Sequence, residues 1–235
     1  MSKAGTFYGL GVGPGDPELM TVKAWRLLST VPVIAFPRPD NGDSLARRIA
    51  APFIPADAIE LALAIPMRAE RPPARAAYDA GAAAIAAHLD GGRDVAFLCA
   101  GDPLFYGSFM YLLERLRDTH ATVIVPGVTS LTAAAAALGR PLAARADVLK
   151  VIPATAGMER LGAELECAEA AAIIKVGRHF DHVRGVIERL DLTDKAFVVE
   201  AASRPDEKIT ALSDLPRGAR PYFSTILIYR GGEPW

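Results

Sequence analysis

Apolar, β-branched runs alternate with helix-patterned stretches along most of the chain. The runs at 6–12 (TFYGLGV), 32–36, 59–64, 94–99 and 121–125 read as strands, and the stretches near 17–29, 44–52, 73–90 and 106–117 as helices. This rhythm predicts an open, mainly parallel sheet with helices on both faces.

The pattern changes after Pro126. PGVTSLTAAAAALG (126–139) reads as a helix opened by Pro-Gly and stopped at Gly139. Strands are expected near 148–152, 171–176, 196–200 and 222–229, with helices near 157–166 and 180–190. Turn residues fill the segment SRPDEKITALSDLPRGARP between the last two strands, which predicts antiparallel pairing and a mixed sheet. The expected organisation is therefore two α/β domains, 1–126 and 127–235.

Composition narrows the class. At 235 residues and 51% hydrophobic, the chain can bury a sizeable core. No apolar stretch approaches the roughly 20 residues that span a bilayer, and the opening MSKAGTFYGL lacks the apolar centre of a signal peptide. Two cysteines, Cys99 and Cys167, stand far apart without metal-type spacing, so a reducing cytoplasm is the expected compartment and no membrane partner is expected. A net charge of −1 gives no basic surplus for a nucleic-acid partner. The cations are mostly Arg, whose forks suit carboxylates and phosphates; a GC-rich coding sequence would produce the same bias.

The candidate chemistry centres on GVGPGDPEL. Counted from Gly11 and Gly13, the third glycine of a dinucleotide fingerprint would fall at Asp16, whose charge repels a pyrophosphate, and no Gly-Lys-Ser/Thr follows to make a phosphate loop. The residues support a tight turn and a capped helix: Asp16 as N-cap, Pro17 in the first helical position and Glu18 complementing the dipole. Taken alone, this is a strand-to-helix connector. A second copy, Gly101-Asp102-Pro103, follows the fourth strand and adds Tyr106 and Gly107. In the common doubly wound order, strands one and four are neighbours, and the crevice beyond their carboxyl ends is where such sheets bind ligands.

GVGPGDPELMTVKAWRLL, AGDPLFYGS, VPGVTS and VVEAASRPDEKI resemble the tetrapyrrole methylases, the S-adenosylmethionine-dependent enzymes of cobalamin and sirohaem synthesis. The likeness runs from about Gly9 to the C-terminus. FPRPDNGDSLARRIA, AGDPLFYGSFMYL and IIKVGRHF are most similar to the subgroup that methylates precorrin-2 at C20. The resemblance implies two α/β domains with the active-site cleft between them, a homodimer, S-adenosylmethionine as methyl donor, no required metal, and a carboxylated tetrapyrrole as substrate.

It further implies roles for single residues. Gly101 and Asp102 would hold the cofactor, Tyr106 would line the same pocket, and Thr129 and Ser130 would reach it. Val176 and Ala202 would close around the adenine, and Pro14 would sit where cofactor and substrate meet. Arg38, Arg68, Arg178 and Arg204 fall in loop positions suited to substrate carboxylates, where each could equally face water. A proton must leave the ring after methylation; Asp16 and Asp40 stand nearest in sequence, each also suited to a cap or turn, and no base is assigned.

Bland readings cover the remaining features. His179, Asp181 and His182 in GRHFDHV lack the i, i+4 spacing of a helical metal pair and read as a solvated helix start. Cys99 ends an apolar strand as a small hydrophobe, and RAERPPARAAYDAGAAAIAAHL reads as a turn into a surface helix. Within the same chemistry, the alternatives are a cobalt-bearing ring or another ring carbon. Outside it, the alternative is a non-catalytic S-adenosylmethionine or nucleotide sensor.

Overall fold

The apolar runs of the first half pair edge to edge as a parallel sheet. The computed structural model describes residues 4–39, 42–65 and 71–230, and for 71–74 the backbone alone. The chain divides into two compact units, Met1–Thr129 and Ser130–Trp235. In the first, strands β1 (Phe7–Gly11), β2 (Val33–Arg38), β3 (Ile59–Ala64), β4 (Val95–Cys99) and β5 (Thr122–Val125) alternate with helices α1 (Val22–Leu28), α2 (Leu45–Ala50), α3 (Arg71–Asp90) and α4 (Phe109–Leu116). Their order is β3-β2-β4-β1-β5, with every pairing parallel.

β4 is apolar at all five positions because both of its faces are covered. Phe7, Val33, Val95, Phe97 and Cys99 face the core shared with α3 and α4, whereas Leu10, Ile34, Ala96, Leu98 and Val125 face the one shared with α1 and α2. Phe109, at the start of α4, is fully buried between Phe7 and Phe97, with ring centroids at 5.3 and 6.3 Å. It lies across β1 at Gly9, where a Cβ would come within 2.5 Å of its ring.

Strands one and four are neighbours, as expected, but the doubly wound order is not the one reached. β4 lies between β2 and β1, so β1 and β2 do not pair. Two helix starts also fall later in the chain than the pattern predicts. Asp16 caps a single 3-10 turn, Pro17–Leu19, and α1 begins only after Thr21, whose Oγ1 accepts from Ala24 N at 3.2 Å. α4 begins at Phe109 and not near 106, because Tyr106 adopts a left-handed backbone (φ 56°) that no helix can include.

The second unit carries α5 (Ser130–Leu138), β6 (Leu149–Pro153), α6 (Met158–Glu166), β7 (Ala170–Ile174), α7 (Phe180–Arg189), β8 (Ala196–Glu200), β9 (Lys208–Ala211) and β10 (Ser224–Tyr229). The sheet order is β6-β7-β10-β8-β9; β6 and β7 are parallel, and the other pairings antiparallel. This is the mixed sheet that the sequence predicts. The turn residues that fill 203–221 predict no strand there, yet β9 forms within that segment. It is a four-residue edge strand on β8, exposed at its first two positions and too short to show an alternating pattern. α5 starts at Ser130, with 126–129 forming an irregular lead-in. Among the described residues no helix is long and apolar enough to cross a membrane.

Phe109→Ala removes the ring that joins β1, β4 and α4. Equilibrium urea unfolding is expected to show a loss of about 3–5 kcal/mol in the first unit.

Candidate functional site

The carboxyl ends of β4, β1 and β5 lie side by side, and the chain leaves each one through a glycine turn. Past β1, Val12 N donates to Cys99 O at 2.9 Å, and Gly101 N donates to Gly13 O at 2.7 Å. Gly13 and Gly101 thus form an antiparallel bridge across two strands that are themselves parallel. The two Gly-Asp-Pro bends predicted from sequence therefore meet.

This junction permits no side chains. A Cβ on Gly11 would fall 2.6 Å from Gly127 Cα and 2.7 Å from Gly101 O, and a Cβ on Gly127 would collide with the same carbonyl oxygen. Gly101 differs in kind. Its backbone is left-handed (φ +74°), yet a Cβ there would meet nothing closer than Val128 O at 3.9 Å. The turn therefore presents bare backbone, the surface a bulky ligand needs to approach closely.

Asp102 staples the junction. Its Oδ1 accepts from Leu104 N at 2.8 Å and its Oδ2 from Gly127 N at 3.0 Å, which binds the β4 turn to the tail of β5. Both bonds are charge-assisted. Asp16 makes the simpler local bond, accepting from Glu18 N at 2.9 Å. Pro14 is buried in the first bend. Tyr106 is exposed, its ring edge-on to Phe105 at 5.0 Å. Thr129 is half-buried, with its Cα 4.0 Å from a Cβ built on Gly101.

In the second unit, β10 runs antiparallel to both β7 and β8, so the ends of β7 and β8 lie at one sheet edge, on either side of Ser224. That edge carries Val176 and Ala202, both buried. Ser130 opens α5 in the same unit. Lys175 (φ 58°), Ala201 (φ 53°) and Ser203 (φ 62°) are left-handed without being glycine. Arg178 and Arg204 stand at this same edge. Arg178 is exposed, with Nε 3.5 Å from His179 Nε2; Arg204 donates from Nη2 to Asp206 at 2.8 Å.

Arg38 does not follow β2 but is its last residue, exposed at the carboxyl edge of the first sheet, with its carbonyl accepting from Ile65 N. Arg68 and Asp40 lie outside the described residues. Asp181 accepts from Gly218 N at 2.8 Å, so it serves a loop, and no cluster able to hold a metal occurs among the described residues. Cys99 is buried, and burial together with nearby Asp102 pushes its thiol well above the usual range, which makes it inert as a nucleophile.

Sequence reasoning missed Glu200 and Arg220. They pair across the second unit's edge at 3.9 Å, with side chains 13% and 16% exposed. Glu200 lies within VVEAASRPDEKI, but nothing in SRPDEKITALSDLPRGARP sets Arg220 apart from the arginines around it.

Residues 6–216 match the family model described as Tetrapyrrole (Corrin/Porphyrin) Methylases. The chain is 41% identical over 240 residues to the cobalamin biosynthesis protein CobIJ of Mycobacterium tuberculosis; that match covers 98% of this chain and 47% of the relative, so the chain spans about half the length of that protein. It is 37% identical to a precorrin-2 C(20)-methyltransferase of a Sinorhizobium species, over 95% of both chains. A crystal structure of uroporphyrin-III C-methyltransferase from Thermus thermophilus complexed with S-adenosyl homocysteine is similar with a TM-score of 0.71 and 25% identity, covering 95% of this chain and 97% of that one.

Two outcomes follow from the geometry. Asp102→Asn keeps one acceptor and Asp102→Ala keeps none, so thermal unfolding should show a graded loss, largest for alanine at about 2–3 kcal/mol. Iodoacetamide at neutral pH should label Cys167 in the folded protein and both cysteines once it is unfolded, as read by peptide mass spectrometry, because Cys167 is exposed and Cys99 is not.

Proposed function

The chain belongs to the tetrapyrrole (corrin/porphyrin) methylase family, and we propose that it transfers a methyl group from S-adenosylmethionine to C20 of precorrin-2. The carrying observation is the glycine junction at the carboxyl edge of the first sheet, where the Gly13–Gly101 bridge and the Asp102 staple hold bare backbone in place. The likeness over nearly full length to a relative named for this reaction supports the choice of substrate.

The residues present suit such a donor. Gly101 leaves space where any other residue would place a Cβ, and its φ of +74° is one that L side chains rarely adopt. In this reading Gly101 contacts the cofactor directly, while Asp102 acts by holding the turn's shape. Pro14, Tyr106, Thr129 and Ser130 complete the surroundings of its reactive portion. Val176 and Ala202, buried at the edge of the second sheet, are assigned to the adenine end, where they shape the turns that would border it.

When bound, S-adenosylmethionine supplies a methyl group already activated on a sulfonium. The protein's contribution is then orientation, worth roughly 7–11 kcal/mol when two reactants are held in near-attack geometry. Arg38 and Arg178 are exposed and able to pair with the carboxylates of the ring, and Arg204 can do so by sharing its fork with Asp206. Arg68 is assigned the same role from sequence alone. No side chain is assigned as base for the proton lost from the ring.

Incubation with S-adenosylmethionine and enzymatically prepared precorrin-2, in metal-free and cobalt-bearing forms, tests the proposal by mass spectrometry and NMR. One methyl group at C20 of the metal-free ring is expected. Addition at another carbon, or to the cobalt form alone, overturns the substrate assignment. Cofactor binding without transfer to either ring favours the sensor. Asp102→Ala should weaken cofactor binding about tenfold through loss of the turn, and unchanged affinity would move the cofactor site elsewhere.

A further inference from the structure

The edge of the second sheet poses a problem of stability. Ala201, Ser203 and Lys175 hold left-handed backbones that cost non-glycine residues about 1–3 kcal/mol each, and such conformations persist only where the surroundings over-determine them. Part of that restraint comes from the turn just before β9 and part from the segment leading into β10. Ala201 N donates to Phe223 O at 3.1 Å, and Ser203 N donates to Glu207 Oε2 at 2.6 Å.

Arg220 lies in the segment leading into β10. Its backbone N–H donates to Gly177 O at 3.1 Å, holding the turn after β7. Its Nη1 stands 3.9 Å from Glu200 Oε1, on the residue immediately before Ala201 in the turn after β8. Its Nη2 donates to Pro216 O at 2.8 Å, and its guanidinium lies 5.0 Å from the Phe180 ring centroid. One residue thus engages both turns, the first through its backbone N–H and the second through its guanidinium, which also holds the loop that covers them and lies against Phe180 at the start of α7.

The pair is poorly suited to stabilising the fold. Glu200 Oε1 and Arg220 Nε are buried without a hydrogen-bond partner. Incompletely paired buried charges commonly contribute less than apolar residues of similar volume. What the arrangement does provide is fixed geometry between the Val176 and Ala202 turns.

We propose that Arg220, with Glu200 as its counter-charge, is a positioning residue that sets the spacing of the Val176 and Ala202 turns for the adenosine end of the methyl donor. This rests on the cofactor assignment made above. Neither side chain is required to touch the ligand; both act through the backbone that does.

Calorimetric titration with S-adenosylhomocysteine, set beside thermal unfolding, tests this. Arg220→Gln and the near-isosteric Glu200→Gln are each expected to weaken binding about tenfold, within the usual range for coupled sites, and the double variant no further than either alone. Arg220→Lys should recover part of the loss. Arg217→Gln, which removes a more exposed ion pair to Glu188 from the same loop, should leave affinity unchanged. Equal losses from Arg217→Gln, or variants that melt earlier yet bind as tightly as the natural protein, would overturn the proposal while leaving the cofactor assignment intact. Failure of the natural protein to bind S-adenosylhomocysteine would overturn both. If Arg220→Gln does not fold, Glu200→Gln carries the test.

Discussion

Everything at the edge of the first sheet depends on how closely three backbone segments approach. Gly11, Gly101 and Gly127 come so near one another that a methyl group on Gly11 or Gly127 would lie inside van der Waals contact with its neighbours. Close packing of bare backbone lets the carboxyl ends of β4, β1 and β5 converge on one short ledge. It also brings exposed peptide groups together in need of partners. The Gly13–Gly101 bridge satisfies one donor and one acceptor, and the Asp102 carboxylate satisfies two further donors. The acidic residue that excluded a phosphate site in the sequence is matched, in the second copy of the motif, by a carboxylate turned inward on amide groups.

The second sheet meets a similar requirement by another route. Its turns after β7 and β8 bend through the left-handed region with Lys175, Ala201 and Ser203, and glycine serves only at Gly177. Side chains are then present at the edge, and the strain is held by what surrounds it: the Phe223 carbonyl, the Glu207 carboxylate and the Arg220–Glu200 pair. One unit frees its backbone by deleting side chains. The other constrains its backbone by recruiting them.

Much of this was legible in the chain, for reasons that differ by element. β4 and β8 are largely apolar strands bounded by turn residues, and that pattern marks them to within a residue of their ends. The two Gly-Asp-Pro bends were visible because glycine and proline constrain the backbone locally. The helix starts were less so: α1 and α4 begin at Val22 and Phe109 because a 3-10 turn and a left-handed tyrosine intervene. The order of the strands was hidden, since a parallel crossover leaves no local mark showing that β4 inserts between β1 and β2. β9 and the Arg220–Glu200 pair were hidden for a related reason. The first is defined by its partner strand, and the second joins residues twenty positions apart whose types alone suggest only a solvated surface.

The distribution of chemistry in the molecule follows from the reaction assigned to it. Where a reactant arrives already activated, acids, bases and nucleophiles have little left to contribute, and accuracy of placement dominates the rate. On the proposed reaction, the residues expected to matter are ones that shape backbone: glycines that permit approach, a carboxylate that ties two turns, and the arginine proposed to space two more. Cys99, the buried thiol closest in sequence to the ledge, is held inert by burial beside Asp102. The signature to look for is convergence of strand ends with the side chains removed. This chain displays it at one sheet edge and reproduces its effect by restraint at the other.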